Sequence, residues 1–165
     1  MRTFLVVIDE TNEARAAMRY AARRAVRVDG AVHILALVAQ PNFSAFGGVQ
    51  ATIEQEARDR AEIMAHGVAG DLLQESGIMP SISVKIGNGP KLVSQFIEGQ
   101  KDLSAMVLGA ARGKSPGPLV SHFAANAGSL PCPLYLIPED YDETAAPEPD
   151  EAARDRASDP APDAT

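Results

Sequence analysis

The residues of this chain best suited to holding an anion lie in one stretch, LGAARGKSPGPLVSHFAANAGSLPCPLYLIP, residues 108–138. Gly109, Gly113 and Gly117 recur there at four-residue steps, Pro118 stands where a helix would open, and Lys114 and Ser121 are close by in the chain. Glycines let backbone amides approach an anion, and a helix N-terminus adds unsatisfied N–H groups and the positive end of the helix dipole. A polyphosphate suits such a loop. The same residues also suffice merely to punctuate a strand-to-helix turn, and neither the dinucleotide fingerprint nor a Walker A sequence is present. A second polar group, Asp9-Glu10-Thr11, closes the first apolar run of the chain.

These residues need elements to position them. Five short, continuous apolar runs, Phe4–Ile8, Val32–Val38, Ile82–Ile86, Ala105–Leu108 and Leu134–Ile137, read as strands covered on both faces. Between them the spacing changes to that of helices. Thr11 or Asn12 offers an N-cap for a first helix with Met18, Ala21, Ala22 and Ala25 inward and Gly30 as its stop. A longer amphipathic helix is expected from about Val49 to Glu75, through Ile53, Ala57, Ala61, Met64, Val68 and Leu72, with Gly67 and Gly70 weakening its last part. Pro90 opens a short third helix with Leu92, Val93, Phe96 and Ile97 on one face. Pro118 opens a fourth, with Leu119, Val120, Phe123, Ala124 and Ala127 inward, that stops at Gly128.

Regular β-α-β alternation implies right-handed crossovers and an α/β domain, a doubly wound, five-stranded parallel sheet with helices on both faces. In such sheets ligands sit beyond the carboxyl ends of the strands. The loops to inspect therefore begin at Asp9, Ala39, Gly87 and Gly109.

Charge divides the chain. Residues 139–165, EDYDETAAPEPDEAARDRASDPAPDAT, hold 10 acidic residues against Arg154 and Arg156, so most of the formal charge of −7 resides there and residues 1–138 are near neutral. Too little of this segment is apolar to offset its ordering entropy, and it reads as a disordered tail following a domain of residues 1–138. The single Cys132 excludes an internal disulfide and fits a reducing compartment, and no apolar run is long enough to cross a membrane. A cytoplasmic protein is expected, with no membrane or nucleic-acid partner.

Other chemistries find little support. His33, His66 and His122 fall within strand or helix patterns rather than in the loops, so no general base is placed. Cys132, between Pro131 and Pro133, reads as a packing residue rather than a thiolate nucleophile. A phosphoacceptor receiver domain would use an acidic pair such as Asp9-Glu10, but it also needs an aspartate after the middle strand and a lysine after the last; Pro138 stands at the second place. Arg15, Arg19, Arg23 and Arg27, with Arg24 beside them, form a stripe along the first helix. A near-neutral body with few aromatic residues and no base-reading motif assigns that stripe to a solvated face, a dimer contact or the acidic tail of the same chain rather than to nucleic acid.

The order of elements, the opening FLVVIDET and the closing VLGAARGK…GPLVS…AGSLPCPLYLIP resemble the universal stress protein family over residues 1 to 138. The resemblance implies a Rossmann-like sheet of order 3-2-1-4-5, a homodimer formed through the last strand (Leu134 to Ile137), and a cytoplasmic stress-response regulator, not an enzyme. Many members bind ATP through a loop reading Gly, two residues, Gly, nine residues, Gly, then Ser or Thr. Gly109 matches the first glycine, but Arg112 stands at the second place with Gly113 one position late, and Val120-Ser121 falls on the final pair. Glu10 replaces the usual glycine after Asp9. The resemblance therefore implies an adenine nucleotide, ATP with magnesium or AMP, held by Asp9, Thr11 and the Val38 backbone on the adenosine side. Gly109, Gly113, Lys114, Gly117 and Ser121 would take the phosphates. The alternative is a member without nucleotide that acts through its dimer and protein partners.

Overall fold

The structure is a computed structural model that describes residues 2–9, 11, 13–39 and 47–142. Strands β1 (Thr3–Ile8), β2 (Ala31–Val38), β3 (Ser81–Ile86), β4 (Leu103–Ala110) and β5 (Leu134–Pro138) form one parallel sheet of order β3-β2-β1-β4-β5. The order reverses between β1 and β4, so both edges of β1 are paired: Val6 lies opposite Ile34 of β2 and Val107 of β4. Helices α1 (Glu13–Arg27) and α2 (Gly47–Ser76) cover one face; α3 (Gly89–Glu98) and α4 (Pro118–Ala125) cover the other.

The central strands explain the continuous apolar runs. Phe4, Val6 and Ile8 point to the α1–α2 layer and Leu5 and Val7 to the α3–α4 layer, and all five are buried. Burying one such side chain stabilises the fold by roughly 1.5–3 kcal/mol, and no polar side chain among the described residues is fully buried. Helix α1 lies close over β1 and β4 because its inner face is small: Ala17, Ala21 and Ala25 are wholly buried around Met18. It ends at Arg27, and Gly30 donates its N–H to the Ala25 carbonyl at 2.8 Å. Asn12, one of the two expected caps, is outside the described residues.

Helix α2 runs through Gly67 and Gly70 without a break and is 30 residues long. At 1.5 Å per residue that is about 45 Å, whereas an eight-residue strand spans about 26 Å. Of its buried residues, Ala65, Ala69 and Leu72 join the core over the sheet, so its N-terminal half stands past the carboxyl edge of the strands. Helix α3 begins as its sequence predicts: Asn88 accepts the Lys91 N–H at 3.1 Å and Pro90 occupies the first turn. Helix α4 is shorter than expected. It ends at Ala125, Ala127–Ser129 form a 3-10 turn, and Ala124 and Ala127 are exposed. Val120 and Phe123 are its buried residues, and half-buried Leu119 packs against the same core.

Beyond β5 the chain stays with the body through Asp142 instead of leaving it at Glu139. Glu139 donates its N–H to Ala110 at 3.0 Å, Asp140 is bonded to Arg112, and the Tyr141 ring meets Tyr20 at 6.1 Å. Residues 143–165, the rest of the acidic tail, lie outside the described residues.

Candidate functional site

The carboxyl ends of β1 and β4, where the sheet order reverses, meet the first turns of α1 and α4. Val7, Asp9, Thr11, Glu13 and Ala14 from the β1–α1 side, with Leu108, Gly109 and Pro116 to Val120 from the β4–α4 side, line a crevice of about 50 Å³. Asp9, Thr11, Gly109 and Gly117 are thus brought together as the sequence predicts.

Each has a local reason for its place. The Asp9 carboxylate accepts the Thr11 N–H at 3.2 Å and the Thr11 hydroxyl, an Asx turn that leads the chain from β1 into α1. Gly117 caps α4 at φ 107°, a left-handed conformation that L side chains rarely adopt, and a Cβ there would meet nothing. Its carbonyl accepts the Ser121 N–H at 3.0 Å. No side chain caps α4, and Pro118 has no N–H, so the first-turn amides of Leu119 and Val120 carry the helix dipole at the mouth of the crevice.

Gly109 also has a packing role. A Cβ on it would lie 2.2 Å from the Glu13 carbonyl oxygen. This glycine lets the start of α1 rest on β4, while its half-buried backbone still lines the crevice. Glu13, Ala14, Val7 and Pro116 are the lining residues that the motif comparison missed. Their signal was positional: they flank the ends of β1 and β4 and the start of α4.

Other expected residues stand apart from the crevice. Gly113 takes φ 94° in a loop closed by the Ala111 N–H donating to the Pro116 carbonyl at 3.2 Å. That loop carries Lys114 outward, and both residues are exposed. Ser121 is exposed as well, because Val120 beside it is buried against the sheet. The Val38 carbonyl accepts the Gly87 N–H at 3.0 Å, which leaves it one lone pair for a ligand. Gln40 and Glu10 lie outside the described residues.

On the other side of the Asp9–Thr11 turn is a second cavity of about 220 Å³, lined by Ile8, Asp9, Thr11, Ala14, Arg15, Met64 and Val68. It is framed by α1 and by the middle of the long α2. Asp9 and Thr11 therefore face two spaces at once.

No group of three metal-ligating side chains occurs among the described residues. His33 places its ring nitrogens 2.6 Å from the Ser81 hydroxyl and 3.0 Å from that of Ser83, and its ring packs on Phe96. Burial lowers its pKa, and its partners tie β2 to β3 at the far end of the sheet. Burial likewise raises the pKa of the Cys132 thiol, partly opposed by a backbone hydrogen bond at Met106, so it stays protonated and packs beneath β4. No helix among the described residues is long and apolar enough to cross a membrane.

Similarity to known proteins has the same outline. The chain resembles a protein of the universal stress protein family from Burkholderia pseudomallei at 13% identity and TM-score 0.65, covering 82% of this chain and 95% of that one. It resembles the universal stress protein UspA from Lactobacillus plantarum at 19% identity and TM-score 0.66, over 82% and 97%. A universal stress protein family protein from Arabidopsis thaliana, solved with AMP bound, matches at 16% identity and TM-score 0.52 over 90% and 97%. No curated protein matches the chain in sequence. The sequence profile of the universal stress protein family matches residues 1–138, and the chain belongs to that family.

Proposed function

We propose that this chain is a cytoplasmic stress-response regulator that holds an adenine nucleotide without consuming it. One observation carries the reading: an aspartate turn, a glycine at positive φ and a helix N-terminus without a side-chain cap converge on the crevice where the sheet order reverses. A related structure bears AMP, which supports a nucleotide of that class.

Pockets for small molecules usually enclose about 300–1,000 Å³. The crevice of about 50 Å³ is too small for a whole nucleotide but large enough for one phosphoryl group, and the cavity of about 220 Å³ across the Asp9–Thr11 turn has the larger space. In this reading the nucleoside lies between α1 and α2 with its ribose on Asp9, and the phosphate reaches the amides of Leu119 and Val120. Lys114 and Gly113 join only if the loop from Ala111 to Pro116 opens, and Ser121 only if α4 turns; magnesium would accompany ATP through the phosphates. Catalysis is not part of the proposal.

A second reading, a member without nucleotide that works as a dimeric interaction module, is favoured by the closure of the crevice and by Val120, 4% exposed and packed into the core at the family's glycine position. Isothermal titration with ATP and with AMP, each with and without magnesium, separates the two. The first reading expects micromolar binding, lost in Asp9→Ala and Gly117→Val. Absence of heat for both nucleotides in protein free of bound nucleotide would give the second reading.

A further inference from the structure

We infer that the outer face of α1 is a docking surface for acidic peptide and that its occupant is the C-terminal segment of this same chain, residues 143–155. Three observations lead there. First, α1 carries Arg15, Arg19, Arg23, Arg24 and Arg27 against the single acid Glu13. Second, the start of the tail already shares a cavity with this face: Arg19, Tyr20, Arg23, Glu139, Tyr141 and Asp142 line one space of about 250 Å³, with Asp140, also on its lining, bonded to Arg112. Third, an aromatic anchor fixes the direction of the chain. Tyr141 meets Tyr20 at 6.1 Å, Tyr20 meets Tyr135 at 5.5 Å, and the Arg24 guanidinium lies over Tyr20 at 5.4 Å while donating to its hydroxyl at 3.1 Å.

The segment beyond Asp142 has the composition to continue along this face. Seven acidic residues, Glu143, Glu148, Asp150, Glu151, Asp155, Asp159 and Asp163, stand against Arg154 and Arg156. Thirteen residues behaving as a random coil would span about 20 Å, and Arg19 and Arg27 are about 12 Å apart along a helix. Tethering at Asp142 supplies an effective concentration in the millimolar range. Each exposed pair contributes well under ~1 kcal/mol, so docking is shallow, salt-sensitive and exchangeable, as an adjustable cover for a basic face should be.

The test places a spin label at Ala153→Cys in a Cys132→Ala background and reads the amide signals of the whole chain by NMR. At about 50 mM salt, signals of Arg19 to Arg27 should lose at least half their intensity while those of α3 do not; at about 0.5 M, where screening acts within about 4 Å, the difference should vanish. A second measurement leaves Cys132 intact. Converting Glu143, Glu148, Asp150, Glu151 and Asp155 to their amides in the full chain should abolish the salt-dependent shifts of α1 amides. Broadening centred on Lys85 and Lys91, or α1 shifts indifferent to the amide changes, would overturn the inference. So would broadening that appears between labelled and unlabelled copies mixed together, which would assign the segment to a second molecule.

Discussion

Of the described glycines Gly109 leaves the least room, with the Glu13 carbonyl where its side chain would be. Gly109→Ala must push the first turn of α1 away from β4, and overpacking of this kind costs typically 1–3 kcal/mol. We expect a loss at or above the top of that range, read as a lower urea midpoint with unchanged slope. The comparison is Gly113→Ala: no neighbour lies within 4 Å, so only the φ of 94° opposes the methyl and the loss should be smaller. The sequence showed that Gly109 matters but not why, because a missing side chain does not name the group that requires its absence. Ser121 was more legible than its reading allowed. Once Val120 and Phe123 are placed inward, the two residues between them, Ser121 and His122, must turn outward, away from a ligand at the crevice.

At the scale of elements the strands were legible because their apolar runs are continuous, which in a parallel sheet marks burial on both faces. Helix α1 was equally plain in its alanines. Helix α2 was legible in extent but not in purpose, since periodicity is the same over a sheet and past its edge. Its two internal glycines offer a direct measure of what propensity costs there. Gly67 and Gly70 are exposed, and a Cβ on either meets nothing within 4 Å. Gly67→Ala and Gly70→Ala should each stabilise the protein by about 0.5–1 kcal/mol, seen as a higher thermal midpoint with nucleotide binding unchanged. A helix that opened there during function would show the opposite coupling: more stable protein, weaker binding.

For the whole molecule the sheet ends in two outer strands, β3 and β5. β5 is an edge strand, and Leu136 on it is 39% exposed although its neighbour Ile137 is buried. An unpaired apolar edge is a template for pairing, and the proposed homodimer would use it. If so, Leu136→Lys should leave the fold intact by circular dichroism and convert dimer to monomer in sedimentation velocity; an unchanged sedimentation coefficient would place any self-association elsewhere. The overall architecture followed from alternation alone, whereas the order of strands came from family resemblance, because nothing local in a run such as AMVL states which strand lies beside it.

That order has a consequence during synthesis. β1 is made first and occupies the middle of the sheet, yet its second partner begins only at Leu103. At about 5–20 residues per second the ribosome needs roughly 5–20 seconds to deliver β4. Through that interval the nascent chain can pair β1 with β2 and β3, while the other side of its most apolar strand waits in water for a neighbour still to be translated.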